Sequence, residues 1–135
     1  METHLGHVVF GVAAEHQSFY KELLEFLGWG VIYDSPDMCG LGDKNHTSMW
    51  FGRPPKSHVN DYDGAGVNHV GIHTALLADV DAAAVYLRGR GVVMLFETPR
   101  HRPEFAGAGT TYYQIMFESP DRILFEIVYT GPYTE

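Results

Sequence analysis

The chain has 135 residues, of which 45% are hydrophobic and 13% aromatic, and this composition excludes an intrinsically disordered protein. Its formal net charge of −8, with only nine Lys and Arg residues, argues against a nucleic-acid-binding surface, which needs concentrated positive charge. No apolar run approaches the roughly 20 residues that a membrane-crossing helix requires, so we expect no membrane partner.

The compartment is predicted from the cysteine content and the N-terminus. Cys39 is the single cysteine, so no intrachain disulfide can form, which is typical of a reducing compartment. The segment Met1-Glu2-Thr3-His4 lacks the basic flank and apolar region of a signal peptide. We therefore expect a cytoplasmic protein.

The first half of the chain reads as a strand, a helix and three further strands. Residues 5–12 alternate loosely, as in a half-buried strand, and a helical pattern runs from Ala13 to Leu27 before Gly28 ends it. Three short apolar pieces separated by turn residues then predict an antiparallel meander. These pieces are Val31 to Tyr33, Met38 to Leu41 and Thr47 to Phe51.

The second half repeats this order after a polar, turn-rich linker at about residues 53–66. A strand is predicted at 67–74, and a helix from Asp79, placed as an N-cap, to Arg90. Strands are then predicted at about Val92 to Glu97, Thr110 to Glu118 and Arg122 to Tyr129. The sequence therefore predicts an α+β protein with one domain over residues 1–135, made of βαβββ modules at about 5–52 and 67–130.

Two histidines occupy matching positions in this internal repeat. His7 opens the first strand run, His7-Val8-Val9-Phe10, and His69 opens the equivalent run, His69-Val70-Gly71-Ile72. A single strand histidine carries little information, but two at matching places suggest that each module brings one ligand to a shared centre.

Glu126 supplies a third candidate ligand. It interrupts the apolar residues Ile123-Leu124-Phe125 and Ile127-Val128, where burying a carboxylate costs several kcal/mol unless a cation or hydrogen-bond donors compensate it. Two imidazoles and one carboxylate form a ligand set for a divalent first-row metal, Fe(II) included. Alternatively, Arg122 caps Glu126, or Glu126 lies exposed on an edge strand.

The element order with these three residues resembles the vicinal oxygen chelate superfamily, which includes glyoxalase I, bleomycin-resistance proteins and extradiol dioxygenases. The resemblance runs from Leu5 to Tyr129 and is strongest in the second half, at Gly66-Val67-Asn68-His69-Val70 and Leu124-Phe125-Glu126. The turn Ser119-Pro120-Asp121-Arg122 keeps the proline and second aspartate of the family's Asp-Pro-Asp-Gly. The resemblance implies curved mixed sheets around a shared cavity.

The resemblance also implies a metal site and a dimer. His7, His69 and Glu126 would hold one divalent ion per site (Zn, Ni, Mn or Fe(II)), and Glu126 would also act catalytically. A second glutamate, which glyoxalase I uses, is absent from the strand at residues 46–51, where Trp50 or Ser48 takes its place. The ligand set is thus closer to that of the family's thiol transferases and extradiol dioxygenases, and a homodimer is expected.

Substrate contacts are predicted around this centre. The loop from Pro99 to Gly107 carries two arginines that could close over the site and pair with a substrate carboxylate or phosphate; the alternative is an ordinary solvated loop. At most one of the adjacent strand residues Tyr112 and Tyr113 can face the cavity. The predicted substrate-binding residues are Trp50, His73, Arg100, Arg102, Tyr112 and Gln114.

The preferred function is a metal-dependent, glyoxalase-like enzyme of the lyase or isomerase type. Its small, oxygen-rich substrate would be chelated through its oxygens to the metal. Two alternatives are an enzyme that cleaves rings as extradiol dioxygenases do, and a metal-free binding protein of the bleomycin-resistance type.

Overall fold

A computed structural model describes residues 1–133, which form two units, Met1–Val59 and the chain from Asn60 onward. Each unit contains one four-stranded mixed sheet and one α-helix. The first has β1 (His7–Gly11), α1 (Gln17–Phe26), β2 (Gly30–Ser35), β3 (Met38–Gly42) and β4 (Ser48–Gly52). The second has β5 (Val70–Thr74), α2 (Leu77–Gly89), β6 (Arg100–His101), β7 (Thr110–Glu118) and β8 (Leu124–Pro132).

The first sheet has the strand order β1-β4-β3-β2. β1 runs parallel to β4, and the other pairs are antiparallel. The helix α1 covers one face, because its apolar side chains recur at helical spacing and Tyr20, Leu23 and Leu24 are buried. The ring of Tyr20 stacks on Phe51 of β4 with centroids 4.4 Å apart. Aromatic stacking therefore joins α1 to the middle of its own sheet.

The second sheet repeats this topology, with the order β5-β8-β7-β6 and a parallel β5–β8 pair. Alternation along the two long strands β7 and β8 gives the sheet one apolar face and one face that carries polar side chains. Ile115, Phe117, Phe125 and Ile127 lie on one face and are at most 1% exposed, and the helix α2 packs against β7 and β8. The opposite face carries the side chains from which the candidate site is built.

The structure confirms the α+β class and the strand-helix-three-strand order of both modules. The predicted strand at Val92 to Glu97 is wrong, since that segment forms loops and turns. The strand that follows α2 is instead the two-residue β6, an edge strand inside the segment that we expected to be a loop. Hydrophobicity in Val92-Val93-Met94-Leu95-Phe96 suggested a strand, but positive φ angles at Phe96 and Glu97 interrupt extended backbone.

The second helix also begins earlier than the sequence indicated. It starts at Leu77 with Leu76 as its N-cap residue, and Asp79 lies in the first turn. A carboxylate there still interacts favourably with the N-terminal end of the helix dipole. Neither helix of the described residues is long and apolar enough to cross a membrane.

Gly40 offers a test of packing in the first sheet. A Cβ atom on Gly40 would lie 2.5 Å from the indole ring of Trp50, its partner on β4. We expect Gly40→Ala to lower the free energy of unfolding by about 1–3 kcal/mol, because overpacking forces the ring to move. Gly30→Ala on β2, with nothing within 4 Å of its added Cβ, is the matched control. Equal melting temperatures of the two variants by circular dichroism would contradict this packing.

Candidate functional site

A cavity of about 490 Å³ lies on the second unit's sheet face opposite α2. Alternation places Tyr112, Gln114 and Met116 of β7 on this face, beside Leu124 and Glu126 of β8. The cavity is within the size range of small-molecule sites, and its lining combines apolar walls with a few polar groups.

Glu126 lies at the buried end of the cavity, and only 4% of it is exposed. The Tyr112 hydroxyl donates to both of its carboxylate oxygens, at 2.9 and 2.8 Å, and the Gln114 side-chain amide donates to Oε2. Gly71 lies opposite on β5, where a Cβ atom would come within 3.1 Å of Oε1. Donors from the chain itself thus compensate the buried carboxylate.

Burial, together with the hydrogen bond to Glu126 and the negative charge of that residue, raises the pKa of the Tyr112 phenol to about 12. The phenol is therefore neutral at physiological pH and keeps its proton as a donor. This matters because a phenolate beside a carboxylate would be repelled by it.

His69 immediately precedes β5, and Asn68 orients its ring. The Asn68 amide nitrogen donates to the backbone carbonyl of Tyr62 at 2.9 Å, so its side-chain oxygen is left to accept from His69 Nδ1 at 2.8 Å. In the neutral ring the proton then resides on Nδ1 and Nε2 carries the lone pair. This is the arrangement in which second-sphere hydrogen bonds prepare histidines as metal ligands.

The Nε2 atom of His69 lies 3.7 Å from Oε1 of Glu126. That separation is too long for a hydrogen bond, and it is compatible with two ligands of one transition-metal ion, each about 2.0–2.2 Å from it. In residues 1–133, no group of three or more His, Cys, Asp or Glu side chains forms a metal-binding cluster. Within the described part of the second unit, the candidate metal ligands are therefore two side chains, His69 and Glu126.

Arg102 connects this polar end to the cavity wall. Its guanidinium donates to the side-chain oxygen of Gln114, Oε1, at 3.0 Å and pairs with Glu104, and this pairing lowers the pKa of Glu104. The same guanidinium lies 4.9 Å above the ring of Phe105, whose edge meets Tyr112. A continuous polar network therefore runs from Glu104 to Glu126.

Two residues of the predicted linker, Asn60 and Tyr62, make contacts beside the site. The Asn60 amide donates to the Arg122 backbone carbonyl at 2.9 Å, and the Arg122 guanidinium lies 4.9 Å above the ring of Tyr62. The Tyr62 hydroxyl donates to Glu118 at the end of β7. Because Asn68 is bonded to the backbone of Tyr62, this segment also fixes His69.

The residues predicted from sequence are distributed between the two units. Arg102, Tyr112, Gln114, His69 and Glu126 line the cavity together. Among the described residues, His73 and Arg100 are not part of that lining. His73 is exposed on β5, and Arg100 pairs with Glu97 at 3.6 Å.

His7 and Trp50 belong to the first unit. His7 is exposed at the start of β1, and the Trp50 indole donates to Ser48 Oγ at 2.9 Å. Their roles as third ligand and substrate contact stay predictions.

Several cavity residues carry no individual signal in the sequence. Asn68 could have been found as the residue beside His69, and Phe105 lies in the arginine-containing segment. The aromatic and apolar members read as ordinary core residues. The lining residues that sequence reasoning missed are Tyr62, Asp63, Asn68, Phe96, Phe105, Met116 and Leu124.

The family model described as Glyoxalase/Bleomycin resistance protein/Dioxygenase superfamily matches residues 4–127. The chain belongs to this superfamily. The match spans both βαβββ modules and includes His7, His69 and Glu126. No curated protein matches the chain.

Solved structures of the superfamily share the fold across nearly the whole chain. A candidate glyoxalase from Bacillus halodurans is 26% identical, with a TM-score of 0.77 over 93% of this chain and 94% of that one. A glyoxalase/bleomycin resistance protein from Albidiferax ferrireducens T118 is 18% identical, with a TM-score of 0.71 over 93% and 98%. A glyoxalase/dioxygenase from Nostoc punctiforme is 12% identical, with a TM-score of 0.70 over 95% and 91%.

Two neighbouring tyrosines test how the buried Glu126 carboxylate is held in the cavity. Tyr112→Phe removes the hydroxyl whose single proton is shared between both oxygens of the buried Glu126 carboxylate, and we expect the free energy of unfolding to fall by about 1–3 kcal/mol. Tyr113→Phe is the matched control, because its hydroxyl bonds to Asp81 on the helix-facing side of the sheet. Tyr113→Phe should lower the free energy of unfolding by at most about 1 kcal/mol. Urea unfolding measures both, and a larger loss for Tyr113→Phe would contradict the compensation of Glu126 by Tyr112.

Proposed function

We propose that the protein is a metal-dependent enzyme of the lyase or isomerase type that acts on a small, oxygen-rich molecule. The observation that carries the proposal is the pair formed by His69 Nε2 and Glu126 Oε1, 3.7 Å apart in the cavity. Both atoms are acceptors in the neutral-imidazole state, so facing one another they are stabilised by a cation between them.

His69, Glu126 and His7 are the proposed ligands. Asn68 holds His69 in the tautomer that presents Nε2, and Gln114 fixes the Glu126 carboxylate by donating to Oε2. His7 is proposed as the third ligand because it occupies in β1 the place that His69 occupies before β5. This ligand set suits Zn, Ni, Mn or Fe(II).

A divalent ion at this site would supply Lewis acidity, which polarises a bound carbonyl or hydroxyl oxygen. The residues around it then position the substrate and handle its proton. The neutral Tyr112 hydroxyl, already a donor to Glu126, is proposed to donate to negative charge that develops on a substrate oxygen. Glu126 is proposed as the proton acceptor, and Arg102 as a contact to the rest of the substrate.

Elemental analysis of the purified full chain tests this proposal. We expect about one divalent ion per chain in the wild type, and its loss in His69→Ala and Glu126→Ala, because a site with two remaining ligands binds weakly. His73→Ala, which changes an exposed histidine on β5 outside the cavity, is the matched control and should keep the ion. A wild type that cannot be loaded with Zn, Ni, Mn or Fe(II) would contradict the proposal.

Binding without metal is a second candidate function, and one observation favours it. Tyr112 and Gln114 already donate to the Glu126 carboxylate, so burial of that charge is compensated without a cation. A wild-type protein that takes up no metal but still binds a small molecule would support this alternative. Dioxygen uptake by the Fe(II)-loaded protein would instead support a dioxygenase.

We also propose that the protein is a homodimer and that it is located in the cytoplasm. Superfamily membership supports the dimer, and sedimentation equilibrium measures it directly. A monomeric mass at micromolar concentration would contradict it.

A further inference from the structure

A strained turn borders the cavity. Phe96 and Glu97 have φ angles of 56° and 60°, and the backbone N–H of Thr98 donates to the Leu95 carbonyl at 3.1 Å. Positive φ at both central residues of a hydrogen-bonded four-residue turn is the pattern of type I′, which strongly favours Asn and Gly. A large aromatic residue there adopts a left-handed conformation that L-amino acids disfavour.

Two hydrogen bonds join this turn to β7, and a third forms within the turn. The Leu95 N–H donates to the Met116 carbonyl at 2.8 Å, and the Met116 N–H donates to Thr98 Oγ1 at 3.0 Å. The buried Thr98 hydroxyl donates to the Leu95 carbonyl at 2.7 Å. A strained backbone persists only where its surroundings fix it in this way, and such residues concentrate at functional sites.

The strained turn places the side chain of Phe96 at the cavity. Phe96 lines the cavity although 53% of it is exposed, and Phe105, which is 59% exposed, lines it too. Glu97, with the same backbone strain, is outside the lining, and its side chain is 90% exposed. The turn therefore places a half-exposed phenyl ring, carried on a disfavoured backbone, in the lining of the cavity.

We propose that Phe96 is a specificity-determining residue whose ring recognises a flat, uncharged aromatic portion of the ligand. Charge argues against an anionic ring portion, because Asp63 and Glu126 outnumber the single guanidinium of Arg102 in the described lining. The ring portion would pack between Phe96 and Phe105, leaving its oxygen substituents for the polar end at His69 and Glu126.

Two uncharged probes isolate the ring. 2-Hydroxyacetophenone and hydroxyacetone share adjacent carbonyl and hydroxyl oxygens and differ by phenyl in place of methyl. The wild type should bind the phenyl compound more tightly in an NMR titration. Phe96→Ala and Phe96→Gly should lower that preference by roughly three- to tenfold, the value of one aromatic contact. Phe96→Tyr keeps the ring and should keep the preference.

Thermal unfolding of the same variants reports the strain. Phe96→Gly should melt about 2–4 °C above Phe96→Ala, because both lose the ring and only glycine tolerates the left-handed backbone. Glu97→Gly is the matched control, since it relieves the same strain outside the cavity. It should raise the melting temperature and leave the preference between the probes unchanged.

The inference rests on the proposed function for the location of the polar end, but the two fail separately. A wild type that holds metal yet shows no phenyl preference, binds neither probe at millimolar concentration, or keeps its preference in Phe96→Gly overturns the role of Phe96 alone. A phenyl preference in a protein that holds no metal refutes the metal-dependent function and supports Phe96. If Phe96→Gly changes the sedimentation mass and leaves the preference intact, the ring belongs to a protein contact and the proposal is wrong.

Discussion

The buried carboxylate of Glu126 is the constraint on which the second unit's site depends. A charge that is 4% exposed has to be compensated, and the surrounding sheet is organised to do so. Tyr112 and Gln114 donate from the neighbouring strand, and Gly71 on the other side leaves room for the carboxylate oxygens. On the cavity side, Oε1 of Glu126 lies 3.7 Å from Nε2 of His69, and this is the pair that we propose as metal ligands.

The module order and the polar face were accessible from the sequence because both follow from short periodicities. Strand alternation separates Tyr112 from Tyr113, and it places Glu126 on the face opposite Phe125 and Ile127. An acidic residue within an apolar strand is also visible without coordinates. These features need only the local pattern and the match between His7 and His69.

The Leu95–Thr98 turn could not be predicted in the same way. Five consecutive apolar residues before Glu97 favour a strand, and nothing local indicates that Phe96 adopts a left-handed backbone. That conformation depends on Met116, eighteen residues beyond Thr98, which bonds to the turn from β7. The orientation of His69 likewise depends on Tyr62, because a backbone carbonyl decides which way the Asn68 amide points.

The contacts of Asn60 and Tyr62 mean that the stretch joining the two modules is more than a spacer. Hydrogen bonds to Arg122 and Glu118 attach this stretch to the end of the β7–β8 hairpin. Through Asn68, the same stretch determines which imidazole nitrogen of His69 carries the proton. Inserting residues between Tyr62 and Asn68 would therefore alter the chemistry of His69 while leaving both sheets intact.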